Sequence, residues 1–423
     1  MVKCCTVSLF LCLLFWRQAA VAQAGGAAIT EGEVNRIMQV LAGDSLEGRG
    51  NFQPGLIKAA RFIGNEFTRA GLEPLPGHAS FFLPFRPAGG KKNEPADLLE
   101  WNGREKNPAA FFYFHVVPGD YPDRGPEDFV IRRADRFGDS TLLLLAGDTS
   151  PVLLWCNQEL PRKKRLSDLS FIMPAGGLKR DVLLVIADTA PSSFSLRGSN
   201  SYYESLEYNI AGVLPGTTRE SILFSSHYDH EGIVPGDWED KIMNGANDNA
   251  SGTTAVIALA KSFAGSGPQQ RNLLFICFAG EELGLTGSKN FIETENLGNI
   301  VAMINIEMIG LPQLGPRTVF ITGENDSHLP ELLGRELTAN GLVVLEDPVP
   351  DKLLYERSDN YPFALKDIPA HTIMGSTDDD KCYHQFCDEL SRIDMGNLTT
   401  IISIIRTSVE PFVNGTIRAG KIR

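Results

Sequence analysis

The sequence predicts an α/β fold in which a mixed central sheet carries helices on both faces, together with a β-rich region that is inserted into this core or accessory to it. From Tyr208 onward, apolar runs typical of strands alternate with runs typical of helices, as expected for a sheet covered by helices. The strand-like runs, such as NLLFICFA and NIVAMINI, are continuously apolar, which indicates strands buried on both sides. The 423 residues suffice for one such domain and a smaller accessory part.

The first residues have the pattern of a secretory signal peptide, which we place at 1–24. Lys3 precedes an apolar stretch from about Val7 to Trp16, and either AVA or AQA within residues 20–24 offers a cleavage site of small residues. The apolar stretch is shorter than the roughly 20 residues that span a bilayer, and no later run reaches that length. We therefore expect a secreted or periplasmic protein with no membrane span.

Three segments follow the predicted signal peptide. Residues 25–87 contain two helical patterns, VNRIMQVLAG and LIKAARFIGNEFTRAGL, separated by the glycine-rich SLEGRGNFQPG. Residues 88–205 contain short apolar runs such as TLLLL, PVLLW and DVLLVI between proline, glycine and charge clusters, and we interpret them as the β-rich insertion or accessory region. Residues 206–423 carry the regular alternation and form the predicted α/β core.

The charge balance argues against one class of partner, and the cysteines allow one disulfide. A net charge of −13 and a pI near 5.1 argue against a nucleic-acid partner, because phosphate binding needs clusters of Lys and Arg. Four cysteines follow the predicted signal peptide, of which Cys156 and Cys277 lie in apolar runs. The other two, Cys382 and Cys387, bracket the sequence YHQF and could form a disulfide in an oxidising compartment, although spacing alone leaves their pairing open.

Polar residues capable of binding metal follow the predicted strands. His227 and Asp229 end the run SILFSS, Glu281 and Glu282 end LLFICFAG, and Glu307 ends IVAMINI. Asp248 lies in the loop before a helix that starts near Ser251, and His384 lies in a late loop after AHTIM. In open α/β sheets, ligands bind at the carboxyl ends of the strands.

Each of these residues also has a plain structural interpretation. A single histidine is usually an ordinary core or surface residue, Asp248 could cap its helix, and a Glu-Glu pair usually faces solvent. Together, however, two histidines and four of these carboxylates suit a pair of zinc ions bridged by one carboxylate. A nearby cation would also explain why Glu281 and Glu282 are adjacent, because two carboxylates about 4 Å apart repel by about 4 kcal/mol at an effective dielectric constant of about 20.

An ordered set of motifs resembles a known family. The segments HYDHEG, NGANDNASG, GEELGLTGS and NIEMIG, followed by YHQ, are similar to those of the dizinc exopeptidase family, which includes bacterial leucyl aminopeptidase, glutamate carboxypeptidase and glutaminyl cyclase. LAGDSLEGRG also resembles a segment near the start of bacterial members. The resemblance covers about residues 31–87 and 208–413 and implies the zinc exopeptidase fold.

The resemblance also implies roles for individual residues. His227 and Glu307 would bind one zinc ion, Glu282 and His384 would bind the other, and Asp248 would bridge the two ions. Glu281 would be the general base that takes a proton from metal-activated water.

Further residues receive weaker assignments. Tyr383 would donate a hydrogen bond to the oxyanion or would simply pack, and Asp229 would orient His227. His230 and Asp359 lie in similar segments but receive no role. Glu307 departs from the family's usual aspartate by one methylene, so the zinc site that contains it is expected to have altered geometry or lower affinity.

These observations predict a secreted or periplasmic aminopeptidase that uses two zinc ions per chain and acts on peptides with a free N-terminus. Two alternatives share the scaffold, namely a glutaminyl cyclase and a carboxypeptidase acting on acidic dipeptides. The carboxypeptidase would need an arginine cluster that the sequence does not reveal. A metal-free binding module is the alternative from another class, and the complete set of predicted ligands disfavours it.

Overall fold

The structure is a computed structural model that describes residues 27–87, 98–115, 119–134, 150–157, 180–200, 206–234, 239–295 and 299–420. The predicted signal peptide and the TLLLL run lie outside these residues. Among the described helices, none is long and apolar enough to cross a bilayer.

Helices form where the sequence shows helical periodicity and capping signals. In the second helix, Pro54 occupies the first turn, and Gly71 ends the helix in the left-handed conformation (φ 78°). The described α-helices are α1 (Glu31–Leu41), α2 (Pro54–Ala70), α3 (Gly252–Ala264), α4 (Thr286–Thr294), α5 (Leu329–Ala339), α6 (Tyr361–Ala364), α7 (Met395–Ser408) and α8 (Glu410–Val413).

The strands belong to one large sheet and several smaller ones. In chain order they are β1 (Glu73–Pro74), β2 (Phe82–Phe85), β3 (Leu98–Trp101), β4 (Arg104–Glu105), β5 (Phe111–Phe114), β6 (Gly119–Arg124), β7 (Val130–Arg133), β8 (Val152–Cys156), β9 (Val182–Ile186), β10 (Phe194–Asn200), β11 (Glu207–Leu214), β12 (Glu220–His227), β13 (Gly232–Ile233), β14 (Ile242–Met243), β15 (Asn272–Phe278), β16 (Asn299–Glu307), β17 (Thr318–Ile321), β18 (Val343–Leu345) and β19 (Ala370–Met374).

The central sheet is mixed, as predicted. Its strands run in the order β1-β11-β15-β12-β16-β19-β17-β18, and β2 also pairs with β11. The four middle strands, β15, β12, β16 and β19, are parallel to one another, whereas β11 and β17 are antiparallel to their inner neighbours. The carboxyl ends of the four parallel strands therefore meet at one edge of the sheet.

Both faces of the central sheet are buried, because side chains alternate between two apolar clusters. In β12, Phe224 packs in the larger cluster, which includes residues of α1, α2, α3 and α7, whereas Leu223 packs in the cluster on the opposite face. The opposite cluster also contains Phe291 from α4 and Phe363 from α6. Burial on both faces explains why these strands read as continuous apolar runs.

A buried carboxylate joins three helices on one face of the sheet. The Glu66 side chain of α2 is fully buried and accepts from Arg36 of α1 at 2.6 Å and from Lys261 of α3 at 2.9 Å. Arg69 of α2 provides a further contact at 2.5 Å. Burial alone would raise the pKa of Glu66, but the hydrogen bonds from Arg36 and Lys261 lower it.

The described strands between residues 98 and 200 form two sheets of their own. One has the order β4-β3-β10-β6 and the other the order β5-β9-β8-β7. They share an apolar cluster that includes Trp101, Tyr113, Leu153 and Leu183. The limits of 88–205 as a separate unit remain a prediction.

Candidate active site

The candidate site lies at the carboxyl edge of the four parallel strands. His227 and Glu307 are the last residues of β12 and β16. Glu281 and Glu282 follow the end of β15, and His384 lies in the loop after β19. Residues separated by more than 150 positions are thereby brought to one place, where they form two groups of metal-binding atoms.

Asp248 faces histidines of both groups from the turn that leads into α3. Its Oδ1 is 3.3 Å from His227 Nε2, and its Oδ2 is 3.1 Å from His384 Nε2. The turn is held in place by Asp388, whose carboxylate accepts from the backbone amides of Asn247 at 2.9 Å and Asp248 at 3.0 Å. Each oxygen of Asp248 therefore faces a different histidine, as a bridging carboxylate requires.

The first group consists of His227, Glu281 and Glu307, whose potential ligand atoms lie within 4.8 Å of one another. Glu307 is fixed by two hydrogen bonds, from Asn305 Nδ2 to Oε1 at 2.7 Å and from Ser358 Oγ to Oε2 at 2.7 Å. Both oxygens of this glutamate therefore lie against specific donors.

The second group consists of His230, Asp248, Glu282 and His384, with ligand atoms that also lie within 4.8 Å of one another. His384 Nε2 is 3.2 Å from Glu282 Oε1, and His230 Nδ1 is 3.1 Å from the same oxygen. The sequence assigns no chemistry to His230, so the structure adds one potential donor to the predicted set.

Asp229 contacts His227 through its backbone and the two glutamates through its carboxylate. The ring of His227 contacts the backbone carbonyl of Asp229 through Nδ1 at 3.2 Å, whereas the nearer carboxylate oxygen is 3.7 Å away. The carboxylate instead accepts from the backbone amides of Glu281 at 3.3 Å and Glu282 at 3.2 Å. Asn51 Nδ2 also donates to this carboxylate at 2.7 Å and holds it in place. Asp229 therefore orients the peptide that carries both glutamates.

A cleft opens onto the first group. It is lined by His227, Asp248, Glu281, Glu307, Met308, Leu354, Arg357, Ser358, Met374, Asp378 and Tyr383. The Tyr383 ring stacks on His384 with the ring centroids 4.0 Å apart. Tyr383 therefore contacts a potential ligand and also lines the cleft.

A family model, described as peptidase family M28, matches residues 209–409. The match covers 201 of the 423 residues, and these residues are similar to peptidase family M28. This match confirms the resemblance identified in the sequence, and all seven predicted site residues lie within the M28 segment.

Individual relatives agree with this match. The chain is 29% identical over 215 residues to leupeptin-inactivating enzyme 1 of Streptomyces exfoliatus, a match that covers 44% of each chain. The chain therefore spans less than half the length of this curated relative.

Two solved structures share the fold. A zinc aminopeptidase from Bacillus subtilis has a TM-score of 0.65 and 17% identity, covering 92% of this chain and 97% of that one. A Bacteroides thetaiotaomicron glutaminyl cyclase has a TM-score of 0.50 and 11% identity, covering 91% of this chain and 99% of that one. The fold alone thus accommodates both an aminopeptidase and a cyclase.

The adjacent glutamates of the M28 segment have opposite pKa shifts. Burial raises the pKa of Glu281 well above its ordinary value, and the charge of Glu282 adds to this effect while His227 opposes it. Burial also disfavours the charged form of Glu282, but the charge of His384 and hydrogen bonds from histidines lower its pKa to about 2. The protein's own groups therefore favour one ionised and one protonated glutamate, whereas a bound dication would favour the ionised form of both.

A disulfide links Cys382 and Cys387, with a Cα–Cα distance of 5.2 Å, and Cys156 and Cys277 are free and buried. The disulfide that spacing left open is therefore present in the structure. It closes a short loop around His384, so the position of this potential ligand is restricted on both sides.

Arg49 is a buried cation that the sequence interpretation missed. Its guanidinium donates to the backbone carbonyls of Tyr228 at 2.7 Å, Asn244 at 2.6 Å and Gly245 at 2.9 Å. Burial lowers the pKa of Arg49 to about 10, against the opposing effect of nearby carboxylates that include Asp248. Arg49 joins the loops that carry His227 and Asp248, and its only sequence signal is its place in the motif LAGDSLEGRG.

Proposed function

We propose that this protein is a zinc-dependent aminopeptidase that binds two zinc ions and removes residues from the free N-terminus of peptides. One observation carries this proposal: Asp248 directs its two oxygens at two different histidines, each of which belongs to a separate group of metal-binding atoms.

The chemistry of the donor set fits zinc. Imidazole nitrogens and carboxylate oxygens are both zinc ligands, and four carboxylates converge here within a few ångströms of three histidines. Such a concentration of negative charge in a buried site is unfavourable unless cations compensate it. We assign His227, Asp248 and Glu307 to one zinc ion, and Asp248, Glu282 and His384 to the other.

When bound, zinc supplies a Lewis acid that polarises a carbonyl and lowers the pKa of water. Glu281 is placed to move the proton, because its carboxyl lies in the cleft wall beside His227 and Glu307. A carboxylate in this position can take a proton from water and later return it to the leaving amine. Tyr383 lies in the same wall, where its hydroxyl could donate to the oxyanion of the tetrahedral intermediate.

The cleft provides little positive side-chain charge for a substrate carboxylate. Among the described residues that line it, Arg357 is the only arginine or lysine. Arg357 Nη1 donates to Asp378 Oδ2 at 3.1 Å, so part of its charge is already compensated. A carboxypeptidase would require a stronger cationic subsite than this one.

We also propose that the protein functions outside the cytoplasm. The N-terminal 24 residues have the pattern of a signal peptide. The disulfide between Cys382 and Cys387 supports an oxidising compartment. Secreted and periplasmic locations both meet these requirements.

A panel of aminoacyl 4-nitroanilides, each with a free and an N-acetylated amino terminus, tests the proposed activity. The zinc-loaded protein should release nitroaniline from the free compounds only, and metal analysis should find about two zinc ions per chain. Release from acetylated compounds at equal rates would contradict aminopeptidase activity. Ammonia release from N-terminal glutamine would favour the cyclase, and the absence of zinc would favour a binding module.

A further inference from the structure

His230 is held in the second donor group more firmly than a surface histidine. It is 1% exposed, and its backbone amide donates to the Arg49 carbonyl at 3.2 Å. Gly245 lies against the ring, since a Cβ at this position would be 2.5 Å from two ring atoms. The ring also packs edge-on against His384, with centroids 5.4 Å apart. Packing thus fixes which ring nitrogen faces the neighbouring carboxylates.

The nitrogen that faces them is Nδ1. It lies 3.1 Å from Glu282 Oε1 and 3.8 Å from Asp248 Oδ2. The opposite nitrogen, Nε2, is buried and has no hydrogen-bond partner among the described residues. All polar contacts described for the ring are therefore directed at two proposed zinc ligands.

The distances match four ligands around one ion. Zinc bonds to nitrogen and oxygen of about 2.0–2.1 Å place the ligand atoms of a tetrahedral site about 3.3 Å apart. The donor atoms of His384 lie 3.1 Å from Asp248 and 3.2 Å from Glu282, and His230 adds the separations of 3.1 and 3.8 Å. The group as a whole has ligand atoms within 4.8 Å of one another, so these four side chains are close enough to share one ion.

The other group has a different environment. Of the donor residues, those that line the cleft are His227, Asp248, Glu281 and Glu307. If Glu281 acts as a base, the protein supplies three ligands to this site. Catalytic zinc sites keep a position open for water or substrate, whereas sites with four protein ligands are usually structural.

We infer that His230 is a fourth protein ligand of the zinc site formed by Asp248, Glu282 and His384. This site is then closed and binds zinc more tightly, and the open coordination position belongs to the site of His227 and Glu307. The inference rests on the proposed function for the presence of zinc but concerns the protein ligands, so it can fail while the aminopeptidase proposal stands.

X-ray absorption spectroscopy of the purified protein tests the inference without an activity measurement. At one zinc ion per chain, the spectrum should show two imidazole ligands, from His230 and His384. At two zinc ions per chain, it should show three imidazoles for two ions. One imidazole per zinc ion at both loadings would overturn the inference, as would a failure to bind zinc.

The variant His230→Asn separates a ligand from a hydrogen-bond donor. Its amide keeps an N–H near the position of Nδ1, so a histidine that only orients Glu282 should be largely replaceable. As a ligand, His230 should be irreplaceable, and the tighter zinc ion should lose more than the roughly 10- to 100-fold in affinity typical of an outer-shell change. Retention of wild-type affinity in His230→Asn would overturn the inference.

His371→Asn provides a matched control for the loss of a buried histidine. His371 is also 1% exposed, but it contacts Ser327 at 2.6 Å and the Thr322 carbonyl at 2.8 Å, away from the donor groups. Zinc affinity should be unchanged in this variant.

The test also separates the inference from the proposed function. If the wild-type protein binds zinc through His230 but hydrolyses no peptide, the proposed function is refuted and the role of His230 stands.

Discussion

Replacing Glu281 with glutamine should separate catalysis from metal binding. The substitution keeps the size of the side chain and removes the carboxylate that we assign as the general base. Its backbone position should be preserved, because the amide of Glu281 is held by Asp229 at 3.3 Å. The geometry leaves two roles open, since the carboxylate lies within 4.8 Å of His227 and Glu307 atoms and could also ligate zinc.

The size of the expected effect follows from these roles. A lost general base lowers the rate by about 10²- to 10⁴-fold, which corresponds to about 2.7–5.4 kcal/mol in the activation free energy. Zinc content should stay at the wild-type level if Glu281 moves protons only. If Glu281 were a ligand instead, zinc content would fall together with the rate.

The assay measures kcat on an aminoacyl anilide and zinc content in the same preparation. Glu282→Gln is the matched control, because it changes the neighbouring carboxylate, which lies 3.2 Å from His384 in the second donor group. This control should lose zinc, whereas Glu281→Gln should keep it. Full activity in Glu281→Gln, or loss of zinc from it, would refute the assignment of Glu281 as the base.

Three further predictions concern metal affinity and stability. Glu307→Asp should shorten the reach to both hydrogen-bond donors of this carboxylate, so graded chelation should remove zinc from the His227 site at a chelator concentration at least about tenfold lower. The double variant Cys382→Ser/Cys387→Ser should release zinc faster by freeing the loop around His384, while its free energy of unfolding falls by only about 2 kcal/mol for so short a loop. Glu66→Gln should lower the free energy of unfolding at pH 7 by about 1–3 kcal/mol, less than for a fully buried ion pair because its cationic partners are partly exposed. This difference should begin to shrink as the pH falls below about 4.5 and should vanish only below the folded-state pKa of Glu66, which is lower, because the stabilisation requires the charged form.

Each of these predictions has an outcome that would contradict it. Equal chelation curves for wild type and Glu307→Asp would remove Glu307 from the proposed ligands. Unchanged zinc release in the double cysteine variant would show that the disulfide does not restrict the ligand loop. For Glu66, urea unfolding at pH 7 and pH 3 should be compared with Glu331→Gln, which changes an exposed carboxylate. An equal loss of stability at both pH values would refute the role of the Glu66 charge.

The positions of the strand ends could be predicted from the sequence. Continuous apolar runs mark β12, β15 and β16, and each is followed or ended by a polar residue such as His227, Glu281 or Glu307. Because β12, β15 and β16 are parallel, these residues must meet at one edge. The family resemblance and the mixed central sheet were also predicted from patterns within short segments, and both predictions are confirmed.

Contacts between distant segments could not be predicted from local sequence patterns. Arg49 reaches the loop of Asn244 across almost 200 residues, and nothing in its own segment indicates which carbonyls it binds. The sequence also does not indicate that the backbone carbonyl of Asp229, rather than its carboxylate, is the nearer contact of His227 Nδ1. His230 was inconspicuous as a single histidine, because its relation to Glu282 arises only when β12 and β15 pair in the sheet.

Mass spectrometry of a single unblocked peptide during incubation with the zinc-loaded protein tests the central claim most directly. We predict a ladder of products that lose residues one by one from the N-terminus, and no products from the same peptide after N-acetylation. Loss of residues from the C-terminus would contradict the claim in favour of a carboxypeptidase. A loss of ammonia alone from an N-terminal glutamine would contradict it in favour of a cyclase, and an unchanged peptide would refute peptidase activity towards this substrate class.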